Sequence, residues 1–292
     1  MRDALGRELS DLRLSVTDLC NYRCRYCMPA QGVPKRGHEE ILSVEECVEI
    51  AGAAILLGVK KVRLTGGEPL VRHGVIDIAR GIGALAGLEE LCMTTNGALL
   101  PKYARKLREA GVRRVNLSLD TLRPERFSAL TRLGTLNEAL AGLRVAVDVF
   151  EQVKINAVLM GGVNDDEILD LIGLTQQWPV EVRFIELMPM GETQNWPAQR
   201  FVSADAVLTA CPKLLPLSPS GVAERYRLPG AAGTVGLIRP MTHSFCASCG
   251  RIRVTADGKL KPCLHSREEI PLRGLHGEAL LQKMREGIWH KP

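Results

Sequence analysis

Between Leu12 and Met188, short runs rich in β-branched and apolar residues alternate with longer segments whose apolar positions recur at helical spacing. The extended runs are LRLSV (12–16), KKVRLTG (60–66), ELCMTTN (90–96), RRVNLSLD (113–120), VKINAVLM (153–160) and VEVRFIELM (180–188). Between them, SVEECVEIAGAAILLG reads as a helix: Ser43 caps it, Glu46 completes a capping box and Gly58 stops it. PKYARKLREAG is another, with Pro101 in its first turn and Gly111 just past its end. Strands regularly followed by helices imply a parallel sheet, either doubly wound or a barrel. Strand ends favour the barrel. TGGEP, TTNG, SLD and ELMPMG put glycine and polar residues at successive strand tips, as on a barrel's carboxyl-terminal active face. Six βα units in place of eight leave such a barrel incomplete and laterally open.

The texture changes after Met188. MPMGETQNWPAQR is loop-like, CPKLLPLSPSG is rich in proline and serine, and short strands with glycine turns follow in YRLPGAAGTVGLIRP. The expected division is a barrel over 1–189 and a smaller region over 190–292 that closes it.

Composition adds little to this picture. At 46% hydrophobic and 24% charged residues, the 292-residue chain reads as a soluble globular enzyme. No apolar run approaches the roughly 18–20 residues that span a bilayer, and the charged start MRDALGRELSDLRL does not resemble a signal peptide. Cytoplasmic residence is the expectation. The formal net charge of +5 suits an anionic small ligand and falls short of a nucleic-acid binder.

Nine cysteines change the picture most. In a reducing compartment, clustered thiols bind metal or do redox chemistry more often than they form disulfides. Cys47, Cys92 and Cys211 stand alone in apolar surroundings and read as small buried hydrophobes. Cys20, Cys24 and Cys27 form C-x3-C-x2-C in the loop after the first strand. Three thiolates can hold three corners of a 4Fe–4S cubane and leave one iron open. Zinc at this site needs a fourth ligand, for which His38 is the nearest candidate. Cys246, Cys249 and Cys263 repeat the count as C-x2-C-x13-C, where His243 makes a Cys3His zinc site equally reasonable on spacing.

C-x3-C-x2-C with the aromatic Tyr26 before its last cysteine, followed by TGGEP at Thr65–Pro69, resembles the radical S-adenosylmethionine enzymes. Seven blocks are similar, in order, to the GTP 3′,8-cyclase family of molybdenum cofactor biosynthesis. They are LRLSVTDLCNYRCRYCMP, VRLTGGEPLVR, MTTNG, VNLSLDTL, VKINAVLM, RFIELMPMG and the segment FCASCGRIRVTADGKLKPCL. The resemblance implies two 4Fe–4S clusters, the first completed by S-adenosylmethionine and the second, on Cys246, Cys249 and Cys263, facing the substrate base. It implies an incomplete (β/α)6 barrel. It assigns Tyr26, Gly67, Ser118 and Met188 to S-adenosylmethionine. To GTP it assigns Arg13, Arg63, Thr94, Lys154, Arg251, Ile252 and Arg253, with Arg253 also expected to act in catalysis. The implied reaction generates a 5′-deoxyadenosyl radical that takes hydrogen from the ribose C3′, after which C3′ attacks C8 of guanine and the product radical is reduced.

Physical reasons accompany several assignments. Arginine's planar fork suits phosphate, and Arg251 and Arg253, two apart on a predicted strand, share a face. Gly67 lets backbone approach a ligand closely, and Thr94 is hard to tell from Thr95. The family's chains usually run on to a tail ending in Gly-Gly that reaches toward the site, whereas these residues end at REGIWHKP, so competence is less secure than membership. Gly250 also stands where a polar residue often follows the second cysteine. Expected partners are GTP, an electron donor and the next enzyme of the pathway, cyclic pyranopterin monophosphate synthase, with no nucleic acid or membrane, in a monomer or homodimer. Two rivals remain at this point: a radical enzyme acting on a peptide, and a non-catalytic zinc module that contacts RNA.

Overall fold

The structure is a computed structural model that describes residues 1–292, apart from the side chain of His38. Six strands appear where the alternating pattern predicts them: β1 (Asp11–Ser15), β2 (Lys61–Thr65), β3 (Glu90–Thr95), β4 (Val112–Ser118), β5 (Gln152–Leu159) and β6 (Glu181–Glu186). Helices α1 (Val44–Leu56), α2 (Val75–Gly83), α3 (Leu100–Glu109), α4 (Pro124–Thr131), α5 (Leu136–Val149) and α6 (Ile168–Gln177) lie between them. The capping box of α1 forms as expected: the Glu46 amide donates to Ser43 Oγ at 3.1 Å and the Ser43 amide to Glu46 Oε2 at 2.8 Å. Gly58 and Gly111 end their helices at φ 102° and 96°, where a side chain would be strained.

Later residues contribute α7 (Asp205–Ala210), β7 (Leu215–Ser220), β8 (Ala223–Arg227), β9 (Thr234–Ile238), β10 (Arg251–Val254), β11 (Lys259–Lys261), β12 (Ile270–Pro271) and α8 (Gly277–Trp289). Their strands do not form a separate sheet. One twelve-stranded sheet runs β12-β11-β10-β1-β2-β3-β4-β5-β6-β9-β8-β7. Strand β10 pairs parallel with β1, and β9 pairs parallel with β6. The parallel stretch is therefore eight strands wide rather than six, and the last hundred residues extend both of its edges.

Each face of this sheet has one chemical character. Leu12, Leu14, Val62, Leu64, Met93, Val115, Leu117, Ile155, Val182 and Phe184 are fully buried on the helix-covered side. Burying each such side chain stabilises the fold by about 1.5–3 kcal/mol. Most of their alternate neighbours, which point to the lumen, are polar, Cys92 and Ile185 being exceptions. A filled barrel interior would be apolar; this one is built to hold something hydrophilic.

Candidate active site

Strand register fixes which side chains meet in the lumen. Arg253, Arg13, Arg63, Cys92 and Arg114 are paired in one row across β10, β1, β2, β3 and β4. The next row contains Thr94, Asn116, Lys154 and Glu181, and the row above it Ser118, Asn156 and Arg183. On these strands the cations Arg13, Lys61, Arg63, Arg114, Lys154, Arg183, Arg251 and Arg253 face only three carboxylates, Asp11, Glu90 and Glu181. That excess matches the formal charge of the whole chain, +5. The positive charge is concentrated inside.

The carboxylates sit toward the lower, amino-terminal ends of the strands. Glu181 holds Lys154 at 3.1 Å and Arg183 at 2.5 Å, and Glu90 holds Arg114 at 2.6 Å and Lys61 at 3.2 Å. Arg13, Arg63, Arg251 and Arg253, by contrast, have no carboxylate within salt-bridge distance among the described residues. Arg13 Nε, both Nε and Nη1 of Arg63, and Nε of Arg114 are buried without a hydrogen-bond partner in the protein. Burial, then the charges of Arg253, Arg251 and Arg63, pull Arg13 down to about 9. It remains protonated at neutral pH, in surroundings that call for an anion. Lys154 is drawn down to about 8, first by burial and then by Arg183.

The two cysteine groups lie at opposite ends of the β1–β10 pair. Cys20, Cys24 and Cys27 follow the carboxyl end of β1, whereas Cys249 precedes the amino end of parallel β10. Antiparallel β11 returns Cys263 to that lower end, since Arg253 pairs with Lys261 and the register continues toward Arg251 and Cys263. Burial first, and then the charge of Arg251, lowers Arg253 from the usual guanidinium range. At about 3.3 Å per residue, the length of β1 separates the two groups by roughly 16 Å.

The upper loop is fastened to the strand tips. The Gly67 amide donates to Thr17 O and the Glu68 amide to Leu19 O, both at 2.8 Å. A Cβ on Gly67 would lie 2.3 Å from Leu19 O and 2.6 Å from Asp18 O. The space a side chain would need is filled by the cysteine loop's own backbone, which corrects the sequence argument that reserved it for a ligand. Buried Glu68 accepts from the Leu70 amide, the Thr95 hydroxyl at 2.8 Å and the Asn96 amide at 2.7 Å, and desolvation raises it to about 7. Asn96 Nδ2 in turn donates to Asn21 Oδ1 at 2.7 Å. Asp120, raised to about 6 by burial, accepts from the Tyr26 hydroxyl and the Val158 amide, each at 2.8 Å.

Burial pushes the half-buried Cys20 and Cys24 thiols above the usual range. A bound cation is what would hold them as thiolates, and an all-sulfur set on one short loop fits iron–sulfur ligation. The lower group is also all sulfur, on the turn Cys246–Ser248 and the β10–β11 hairpin. All nine cysteines are free thiols. Among the described residues no three His, Cys, Asp or Glu side chains converge on a single-ion site, and the side chain of His38 lies outside the described residues.

Several sequence assignments can now be located. Arg13, Arg63, Lys154, Arg251, Arg253, Thr94 and Ser118 all face the lumen. Thr95 is separated from Thr94, because it is buried and committed to Glu68. Met188 is half-buried just past β6. Ile252 is a correction: it pairs with Leu12 in the helix-side core, so its side chain is turned away from the lumen and only its backbone is available there. Cys92 is another. It is buried, yet it faces the lumen, where Arg114 Nη2 donates to its Sγ at 3.6 Å, while Cys47 and Cys211 do lie in the apolar core. Lys61, Arg114, Asn116, Asn156, Glu181 and Arg183 were missed, although the alternation in KVRLT, RVNLS, KINAV and EVRFI carried the signal.

A cavity of about 720 Å³ opens at the lower mouth, lined by Lys61, Glu90, Arg114, Lys154, Glu181 and Arg225 among others. A cleft of about 570 Å³ lies beside the upper cysteine loop, bordered by Arg25, Arg132, Trp196 and Arg200. No described helix is long and apolar enough to cross a membrane.

Residues 14–175 match the radical SAM superfamily, and residues 180–292 match the family described as Molybdenum Cofactor Synthesis C. The chain is 45% identical to a GTP 3′,8-cyclase of Alkaliphilus oremlandii, over all of this chain and 93% of that protein. It is 48% identical to a GTP 3′,8-cyclase of Peptoclostridium acidaminophilum, over 99% and 91%. Among solved structures, Streptococcus suis SuiB bound to S-adenosylmethionine superposes with a TM-score of 0.67 at 15% identity, covering 95% of this chain and 68% of that one. Native anSMEcpe with bound AdoMet gives 0.59 at 14% identity, covering 94% and 82%. Fold and sequence agree: this chain belongs to the GTP 3′,8-cyclase family of the radical S-adenosylmethionine superfamily.

Proposed function

We propose that the chain converts GTP to (8S)-3′,8-cyclo-7,8-dihydroguanosine 5′-triphosphate, the first step of molybdenum cofactor biosynthesis. One observation carries the reading. A lumen lined with unpaired guanidinium donors lies between two three-cysteine groups. A polyanion held there is within reach of both ends, and the cation excess favours a nucleoside triphosphate over a peptide.

Cys20, Cys24 and Cys27 would hold the 4Fe–4S cluster that S-adenosylmethionine completes; when bound, that pair supplies the radical chemistry. Tyr26, Gly67, Ser118 and Met188 border its place, Gly67 by seating the loop and Tyr26 with its hydroxyl fixed on Asp120. Cys246, Cys249 and Cys263 would hold a second 4Fe–4S cluster toward the base. Arg13, Arg63 and Arg253 form the row that receives the triphosphate, supported by Arg251, Thr94 and Lys154. Their work is positioning: the ribose would be held against the upper group and the base against the lower one. Arg253, in register with Arg13 and one β-pairing from the hairpin that carries Cys263, would act on substrate between the arginine row and the second cluster.

Anaerobic incubation of reconstituted protein with GTP, S-adenosylmethionine and a strong reductant tests the reading. The expected outcome is 5′-deoxyadenosine together with a product isomeric with GTP. Turnover of S-adenosylmethionine with GTP unchanged, and no GTP affinity by equilibrium dialysis, would favour a peptide substrate.

A further inference from the structure

The amino-terminal segment MRDALGRELS is used by neither cysteine group in sequence, yet it is built around a buried ion pair. Arg7 Nε donates to Asp3 Oδ2 at 2.6 Å, and both residues are more than nine-tenths buried. Asp3 Oδ1 also accepts the Leu5 and Arg7 amides at 3.0 and 2.9 Å, closing a turn that Gly6 completes at φ 79°. The rest of the guanidinium points outward from this turn. Its Nη1 donates to the carbonyl of Cys246 at 3.1 Å, and its Nη2 to the main-chain oxygens of Lys291 and Pro292 at 2.9 and 2.8 Å.

Residues next to Arg7 grip the same loop from its other side. The amides of Ser10 and Asp11 both donate to Gly250 O, at 2.9 and 3.2 Å. A Cβ on Gly250 would lie 2.1 Å from Glu8 O, which gives a physical reason for glycine at this position. The Cys246–Cys249 turn is thus mounted on the amino-terminal hairpin. Cys246 itself is exposed and otherwise held by short local contacts, Cys249 N to Cys246 O at 3.2 Å and Cys246 N to Ser244 Oγ at 3.4 Å.

We infer that Arg7, locked by Asp3, is a positioning residue for the lower cysteine group, fixing the Cys246 backbone against the segment that follows α8. Because Asp3 neutralises it, the clamp sets geometry without adding net charge beside the thiolates. A lysine there would keep the charge but lose the fork that bonds Asp3, Cys246 and Lys291 at once.

The inference rests on the two-cluster reading, and the test separates them. In a Cys20→Ala, Cys24→Ala, Cys27→Ala background, only the lower group can hold iron. There, Arg7→Lys and Arg7→Met should lose iron to a chelator at least tenfold faster than the parent and alter the electron paramagnetic resonance signal of the reduced cluster. In the complementary Cys246→Ala, Cys249→Ala, Cys263→Ala background, the same changes should leave retention at the upper group unaltered. Equal retention in Arg7→Lys and parent overturns the clamp alone. Loss from both groups together also overturns it, since Arg7 would then serve the whole fold. No iron in the first background overturns the two-cluster reading and the inference with it.

Discussion

Lys154→Met is expected to make the protein more stable while weakening its hold on GTP. Three cations, Lys154, Arg183 and Arg225, share the single carboxylate of Glu181 at 3.1, 2.5 and 3.9 Å. The two partners of the Lys154–Glu181 pair respond in opposite senses: Glu181 is lowered, so its charge is favoured, whereas Lys154 is also lowered, so its charge is disfavoured. Glu181 is over-supplied with counter-charge and Lys154 is under-supplied. A fall from 10.5 to about 8 corresponds to about 3.4 kcal/mol. Solvent reaching the ammonium from the lower mouth screens part of this, leaving about 1–2 kcal/mol. The penalty is fully present below about pH 8. It fades as pH rises, because the unfolded lysine then binds the proton that the folded one has shed, and it is gone above about 10.5. Arg183 keeps Glu181 paired in the variant, so no carboxylate is stranded. Equilibrium denaturation at pH 7 should find the variant more stable, with the difference closing at high pH, while dialysis finds weaker GTP binding. A variant less stable than the parent at pH 7 would refute the argument that the lumen is short of negative charge.

Three further outcomes follow from contacts above. Gly67→Ala drives a Cβ into the backbone of Asp18 and Leu19, so reconstituted protein should lose the iron of the upper group, about four of roughly eight per chain by iron analysis. Thr94→Val should weaken GTP binding with stability within about 0.5 kcal/mol of the parent; Thr95→Val, which removes one of the three donors to buried Glu68, should cost about 1–3 kcal/mol in denaturant titration. Glu186 accepts from the amides of Ala204, Met241 and Thr242 and from the Thr242 hydroxyl, so Glu186→Ala should destabilise by about 3–5 kcal/mol in the same titration. Those bonds hold Glu186 below its ordinary value, although burial alone would raise it. Its contribution is therefore present above the unfolded value near 4.5 and is lost as pH falls through the lower folded one.

Local physics made much of this legible. Strands β1–β6 and the Ser43–Glu46 box depend on neighbours in sequence, so their signals are contained within a few residues. The two three-cysteine spacings were equally local. What could not be read was pairing. Nothing near GRIRV announces that β10 lies parallel to β1, and only that pairing puts Arg253 beside Arg13 and Cys249 at the end opposite Cys20. The side chain of Ile252 points to the core because it alternates with Arg251 and Arg253, so whatever it offers the lumen comes from its backbone. Lys61, Arg114 and Arg183 were legible in principle. Charged residues alternating with fully buried ones mean that one face of a strand is wet, and the emphasis on strand tips drew attention away from strand middles.

The pairing of β1 with β10 also imposes an order in time. About 240 residues separate Asp11 from its partner Arg251, which at roughly 5–20 residues per second takes on the order of 10–50 s to synthesise. Over that interval β1 has an unpaired edge. The contacts that seat the upper cysteine loop, from Gly67, Asn96 and Thr131, emerge long before Cys246 does. On the ribosome the two thiol groups are therefore not equivalent: one can be loaded while the other does not yet exist. The arginine row, too, is completed only when the last strands arrive, because Arg253 reaches Arg13 through β10 alone.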